Sequence, residues 1–178
     1  VIAQRSDGEQ LAFADSVDAA FQRGDLDASE VLAAMRELAP SKVRQIALAP
    51  LETVEWIYDH EAQTDAQKAA VRGAVAKAYL PRLEALGYQR RAGESADDVL
   101  MRNSLANSLG LEFKVPSVRA ALLKQGEAAL KPGKDGLPDL MAANPDLLRT
   151  ALSVAVEEQG KPAVDELIAA IPKTTDPV

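Results

Sequence analysis

The chain is 178 residues long, enough for one domain with a core of its own. Its 20 Lys and Arg stand against 27 Asp and Glu, a net charge of −7. With no basic excess to release counterions from a phosphate backbone, nucleic acid is excluded as an expected partner. Hydrophobic residues make up 47% and charged residues 26%, enough apolar material to offset the entropy of ordering, so the chain is read as a folded domain and not as an acidic tail.

There are no cysteines, which removes disulfides, thiolate metal sites and cysteine nucleophiles together and leaves the compartment open, cytoplasmic or exported. No apolar run approaches the roughly 18 residues a bilayer span requires, and Val1-Ile2-Ala3-Gln4-Arg5-Ser6 lacks the basic-then-apolar order of a secretion signal. A soluble piece without a membrane span is expected. The absent initiator Met and the Thr175-Asp176-Pro177-Val178 ending lead us to expect residues 1–178 to be one helical domain cut from a longer polypeptide.

Ala and Leu are abundant and the β-branched runs that mark strands are missing, so helices should dominate. In chain order, Leu11, Ala14, Val17, Ala20 and Phe21 recur at helical spacing and predict a first helix from about Glu9 to Arg23, stopped by Gly24. Asp27 or Ser29 caps a second, with Val31, Leu32, Met35 and Leu38 on one face before Pro40. Ser41 is read as the cap of a third, in which Pro50 forces a kink or a restart and Trp56 and Ile57 close the core face. Asp65 is read as the cap of a long fourth, which Pro81 should bend and Gly87 ends.

Beyond the loop Tyr88 to Gly93, whose Gln89-Arg90-Arg91 is read as solvated charge, Ser95 caps a fifth helix carrying Val99, Met101, Leu105 and Leu109 as far as Gly110. A sixth follows Pro116-Ser117, and Lys131-Pro132-Gly133-Lys134-Asp135-Gly136 is a loop. Leu137 to Ala143 is a short helix. Asn144 caps the next, with Pro145 at its first position, and a last helix from Pro162 to Ile171 presents Val164, Leu167, Ile168 and Ile171. Some eight antiparallel helices are too many for a four-helix bundle, and no repeat of fixed length is visible. The fold class expected is therefore all-α, an irregular α-superhelix with HEAT- or armadillo-like stacking.

Chemistry is scarce. The single His lies in His60-Glu61-Ala62-Gln63-Thr64, where Thr64 occupies the place of the second ligand of H-E-x-x-H, so no metal site is expected. A serine triad needs a His as its base and a G-x-S-x-G to expose its nucleophile, and no G-x-S-x-G is present. Gly133-Lys134-Asp135-Gly136 lacks the spacing of a phosphate loop. Paired acids at Asp97 and Asp98, or Glu157 and Glu158, are better read as solvated charge or compensation of a helix dipole. Arg102 lies between apolar Met101 and Leu105 one turn beyond Asp98, so a structural Asp98–Arg102 pair is expected. Asn103 and Asn107, four residues apart, form a polar stripe that could line a wet cavity or face solvent.

Tyr79-Leu80-Pro81-Arg82-Leu83-Glu84-Ala85-Leu86-Gly87-Tyr88, then Ala92-Gly93-Glu94-Ser95, then Leu100-Met101-Arg102, together resemble the C-terminal helical domain of zinc aminopeptidases of the aminopeptidase N type, the endoplasmic-reticulum-aminopeptidase-like C-terminal domain. Ser16-Val17-Asp18-Ala19-Ala20-Phe21 with Gly24-Asp25-Leu26, Leu147-Leu148-Arg149 through Gly160, and Thr174-Thr175-Asp176-Pro177 extend the similarity over nearly the whole chain. The resemblance implies a part without catalytic or metal-binding residues of its own. The zinc and the Gly-x-Met-Glu-Asn segment would belong to an upstream catalytic domain of the same polypeptide. This domain would wall the chamber that peptide substrates enter, with Arg102, Asn103 and Asn107 as candidate lining residues. A free-standing HEAT-type adaptor that binds a partner protein is the alternative reading.

Overall fold

The computed structural model describes residues 2–133 and 136–170. Among these the elements are helical, and the only strand-like pairing is an isolated bridge between Pro132 and Pro138, so the all-α expectation holds. No helix among the described residues is long and apolar enough to cross a membrane. The chain divides into two compact units, residues 1–82 and 83–178.

In the first unit, α1 (Asp7–Gln22) and α2 (Ala28–Leu38) each begin with a reciprocal capping box. The side chain of Ser6 accepts from the amide of Glu9 while Glu9 reaches back, and Asp27 and Glu30 do the same, so orphan amide donors are satisfied at both starts. Gly24, with φ +78°, makes the left-handed turn between the two helices. The core face of α1 is turned from the expected stripe. Ala14 packs with Leu38 and Ile46 while Phe13 and Val43 lie against them, and Leu11 points outward.

The third predicted helix is two. α3 (Arg44–Leu48) and α4 (Leu51–Trp56) are separated at Pro50, which cannot donate a helical hydrogen bond and instead starts the second piece. Ser41 lies ahead of α3, accepting from the amide of Val43, which is the residue in the cap position. After α4 one wide turn, Ile57–Glu61, closes with the amide of Ala62 donating to the Ile57 carbonyl at 2.9 Å. α5 (Asp65–Leu86) is capped by Thr64, not Asp65: its hydroxyl accepts from the amide of Gln67, and Gln67 accepts from the Thr64 amide in return. Pro81 lies inside α5, and the helix continues beyond it to Leu86. Buried Tyr79 donates to the Ala47 carbonyl at 2.7 Å and Arg82 to the Ser41 carbonyl at 2.6 Å, fastening α5 to the segment that leads into α3 and to α3 itself.

In the second unit, α6 (Ala96–Asn107) runs into another wide turn, Ser108–Glu112, so the helical path passes through buried Gly110 instead of stopping there. α7 (Pro116–Leu130) and α8 (Leu148–Gln159) pack along their lengths. At Gly126 the two come so close that a Cβ would stand 2.4 Å from the Ala151 carbonyl oxygen and 2.8 Å from the Ala155 Cβ. Small residues facing one another let these axes come together, and dispersion attraction between the apposed backbones offsets the missing side-chain volume. Short 3₁₀ turns at Leu140–Ala142 and Pro145–Leu147 join the two helices. α9 (Lys161–Ala170) buries Ala163 and packs Leu167 against the same cluster as Leu152 and Val156, leaving Val164 and Ile168, both expected inside, toward solvent. Ile171 and the Thr174 to Pro177 segment, like Lys134 and Asp135 of the loop, lie outside the described residues.

Candidate functional site

Two places concentrate polar groups, one in each unit. In the second unit they surround the end of α5. A helix terminus leaves its last carbonyls without amide donors, and here four consecutive carbonyls are met by side chains. Arg102 of α6 donates through Nη2 to Leu86 at 3.4 Å and through Nε to Gly87 at 2.8 Å. The Tyr88 carbonyl accepts from Asn144 at 3.2 Å and from Gln125 of α7 at 3.4 Å. Arg91 adds a bond to the Ala85 carbonyl at 2.8 Å. Cations at a helix C-terminus also oppose the negative end of its dipole.

The side chain of Arg102 is fully buried, so its charge needs a counter-ion. That partner is Glu94, whose Oε1 pairs with Nη2. The expected Asp98 partner is engaged elsewhere: Asp98 accepts from the hydroxyl of Ser95 at 2.8 Å, and its own amide donates to that hydroxyl at 3.1 Å. Ser-x-x-Asp at a helix start is a capping pattern, and capping consumes the carboxylate that spacing alone assigns to Arg102. The Arg102 hydrogen bond holds the Glu94 carboxyl below its ordinary pKa, against the upward push of burial.

Asn103 is half-buried and, with its amide oriented to satisfy both ends, donates to the carbonyls of Val99 and Asp146 at 3.2 Å each. Asn107 is exposed. Of the three candidate lining residues, then, Arg102 is a buried structural group, Asn103 joins α6 to the turn that leads into α8, and Asn107 faces solvent. Glu157 and Glu158 are not merely solvated. Both hold Arg119 of α7, Glu157 at 2.9 Å from Nη1 and Glu158 accepting from Nε at 2.7 Å, while Arg119 also donates to the Gly110 carbonyl at 3.0 Å. Burial pushes the Glu157 carboxyl up, yet its contacts with Arg119 and Lys114 outweigh this and leave its pKa lowered.

In the first unit α1 and α4 border a cleft of about 650 Å³. Asp15 and Asp18 come from α1, Glu52 and Thr53 from α4, and Glu61 from the wide turn after it; no Lys or Arg lines the space. Thr53 donates to Asp18 Oδ1 and Gln22 to Asp18 Oδ2, each at 2.7 Å, which fixes that carboxylate. Trp56, expected in the core, is 47% exposed on the cleft wall, edge-on to Phe21 with ring centroids 5.6 Å apart. His60 stacks on Trp56 at 4.8 Å and donates through Nδ1 to the Trp56 carbonyl at 3.0 Å. Among the described residues no group of three or more His, Cys, Asp or Glu side chains is placed to hold a metal ion.

Compared with known families, residues 4–178 match the model of the ERAP1-like C-terminal domain. The chain belongs to that family. No curated protein and no solved structure matches it. In this ERAP1-like C-terminal domain, three stretches that carried the resemblance meet in one contact. Leu86-Gly87-Tyr88 offers the carbonyls, Gly93-Glu94-Ser95 supplies the counter-ion and the cap, and Arg102 joins them. The motif is thus a folding device at the end of α5. The cleft escapes sequence reasoning because its acids are scattered over three elements and because Trp56 reads as a core residue. The signal is the spacing of Asp15, Asp18 and Gln22 along one side of α1, facing Glu52 and Trp56 four residues apart on α4.

Proposed function

We propose that this chain is the non-catalytic C-terminal domain of a zinc-dependent aminopeptidase, where it walls the chamber that holds the substrate and limits which peptides enter. The match of residues 4–178 to the ERAP1-like C-terminal domain carries this reading. The chemistry of the chain agrees with a role other than bond cleavage. The buried Arg102–Glu94 pair of the second unit is committed to a helix end, the more exposed Arg119 with Glu157 and Glu158 to a helix pair, and His60 is bound to the Trp56 carbonyl. The described residues do not fit a zinc ion, so no catalytic step is assigned to them. The metal and the nucleophilic water would belong to an upstream catalytic domain of the same polypeptide.

A wall acts by geometry. Packed helices exclude folded proteins and bulk water from a neighbouring centre, and polar groups on the inner surface hold an extended peptide weakly. The test compares the parent polypeptide with and without this domain on a short aminoacyl chromogenic substrate, a peptide of about ten residues and a folded protein with a free N-terminus. The expected result is that removal changes selectivity among the three by length and foldedness. Unchanged ratios, with the truncated enzyme still folded and active on the short substrate, would overturn the gating role.

A further inference from the structure

The sequence has three methionines and no cysteine, so its thioethers are the sulfur that an oxidant meets. The fold treats them unequally. Met35 on α2 is fully buried in the first unit, and Met101 on α6 is 1% exposed in the second. Met141 is 80% exposed, more than any other large hydrophobic side chain among the described residues. The backbone fixes this exposure. The Lys131 carbonyl accepts from the Asp139 amide at 3.0 Å, the Leu137 carbonyl from the Gly133 amide at 2.7 Å, and the Asp139 carbonyl from the Ala142 amide at 2.9 Å. These bonds close the loop after α7 on itself, and its last turn, Leu140–Ala142, packs on α7. Ala143 and Asn144 are buried directly afterwards, so the chain re-enters the core just past Met141 while the thioether stays outside.

We propose that Met141 is a reversible oxidation site, the thioether that hydrogen peroxide converts to the sulfoxide while Met35 and Met101 are spared. A sulfur lone pair attacks one peroxide oxygen, the S–O bond forms and the O–O bond breaks. The oxygen delivered gives up its proton to the departing one, which leaves as water, so sulfur is oxidised and the peroxide reduced by the same electron pair. A dithiol reductant reverses the step, becoming a disulfide and releasing the oxygen as water. The sulfoxide puts a polar group beside Leu140, itself 44% exposed, and so changes the character of a surface without touching the helix packing. At Met35 or Met101 the oxidant has to enter a close-packed core, which requires that unit to open first. The site does not depend on the chamber reading, since it rests on the exposure of this chain's own sulfur atoms.

The full chain is treated with dilute hydrogen peroxide at neutral pH, and the oxygen gained by each methionine is followed by peptide mass spectrometry. Met141 should react at least about tenfold faster than Met35 and Met101, and the three rates should converge once urea unfolds the chain. The two epimer-specific methionine sulfoxide reductases together should restore Met141 in the folded chain. The thermal midpoint of the chain oxidised at Met141 should equal that of the untreated chain. Met141→Leu should abolish the fast reaction and leave the rates at Met35 and Met101 unchanged. Comparable native rates at the three methionines, a sulfoxide that the reductases cannot reach, or a midpoint lowered by oxidation of Met141 would each overturn the proposal.

Discussion

Arg102 and Glu94, eight residues apart on either side of the cap of α6, form a buried ion pair whose guanidinium also holds the carbonyls of Leu86 and Gly87. A buried charge that loses its partner is costly, whereas an exposed one is not. Arg102→Met should therefore lower the stability of the chain by roughly 3 kcal/mol, read as a shift in the urea midpoint. Asp98→Asn, which alters the bond to the Ser95 hydroxyl at the start of α6, should cost at most about 1 kcal/mol. Equal effects of the two changes would return Asp98 to the role of partner.

Acid should destabilise the fold in a defined window. The Glu94 and Glu157 carboxyls are lowered in the folded state, as are those of the capping residues Glu9 and Asp27. A lowered carboxyl stabilises the fold fully above its unfolded pKa, about 4.3 for Glu, and that contribution disappears as pH falls toward the folded value. Urea midpoints should be flat from about pH 7 to about pH 5 and drop below it, and Glu94→Gln should flatten the drop. A midpoint that rises on acidification would contradict these charge assignments.

Two glycines should respond in opposite directions to alanine. Gly126 faces Ala151 and Ala155 across the α7–α8 contact with no room for a Cβ, so Gly126→Ala should destabilise by about 1–3 kcal/mol through overpacking. Gly73, exposed within α5 with nothing near its Cβ position, should gain about 1 kcal/mol on the same change. Thermal unfolding of the two variants settles both signs.

Much of the helical layout is legible in the sequence because caps and breaks are local. Ser95, Asp27 and Asn144 cap where expected, and Pro50, Gly87 and Gly160 end or divide helices as their backbones require. The faces are less legible. In an Ala-rich helix the apolar stripe is broad, so tertiary contacts choose the side that is buried, and this choice turns Leu11, Trp56, Val164 and Ile168 outward. Wide turns at Ile57–Glu61 and Ser108–Glu112 carry no composition signal, and Gly110 reads as a stop although the path continues through it. The Glu94 partner is hidden by the preference for i, i+4 pairs, a rule for exposed helix faces that does not govern a buried arginine reaching across a cap.

The cap at Asp27 offers a further check on the first unit. Its carboxylate accepts from the amides of Ser29 and Glu30 at 2.8 and 3.0 Å, so Asp27→Ala should cost about 1 kcal/mol. Native-state hydrogen exchange should show the loss first at the start of α2. Loss confined to the second unit would contradict the division of the chain into two compact units.

The role of the chain is tested most directly by assaying release of N-terminal residues from an aminoacyl chromogenic substrate in the presence of zinc. The isolated 178-residue chain should show no turnover, while a parent polypeptide carrying the proposed upstream catalytic domain should show turnover that a chelator abolishes. Turnover by the isolated chain, or a parent polypeptide without any zinc-dependent release, would contradict the assignment.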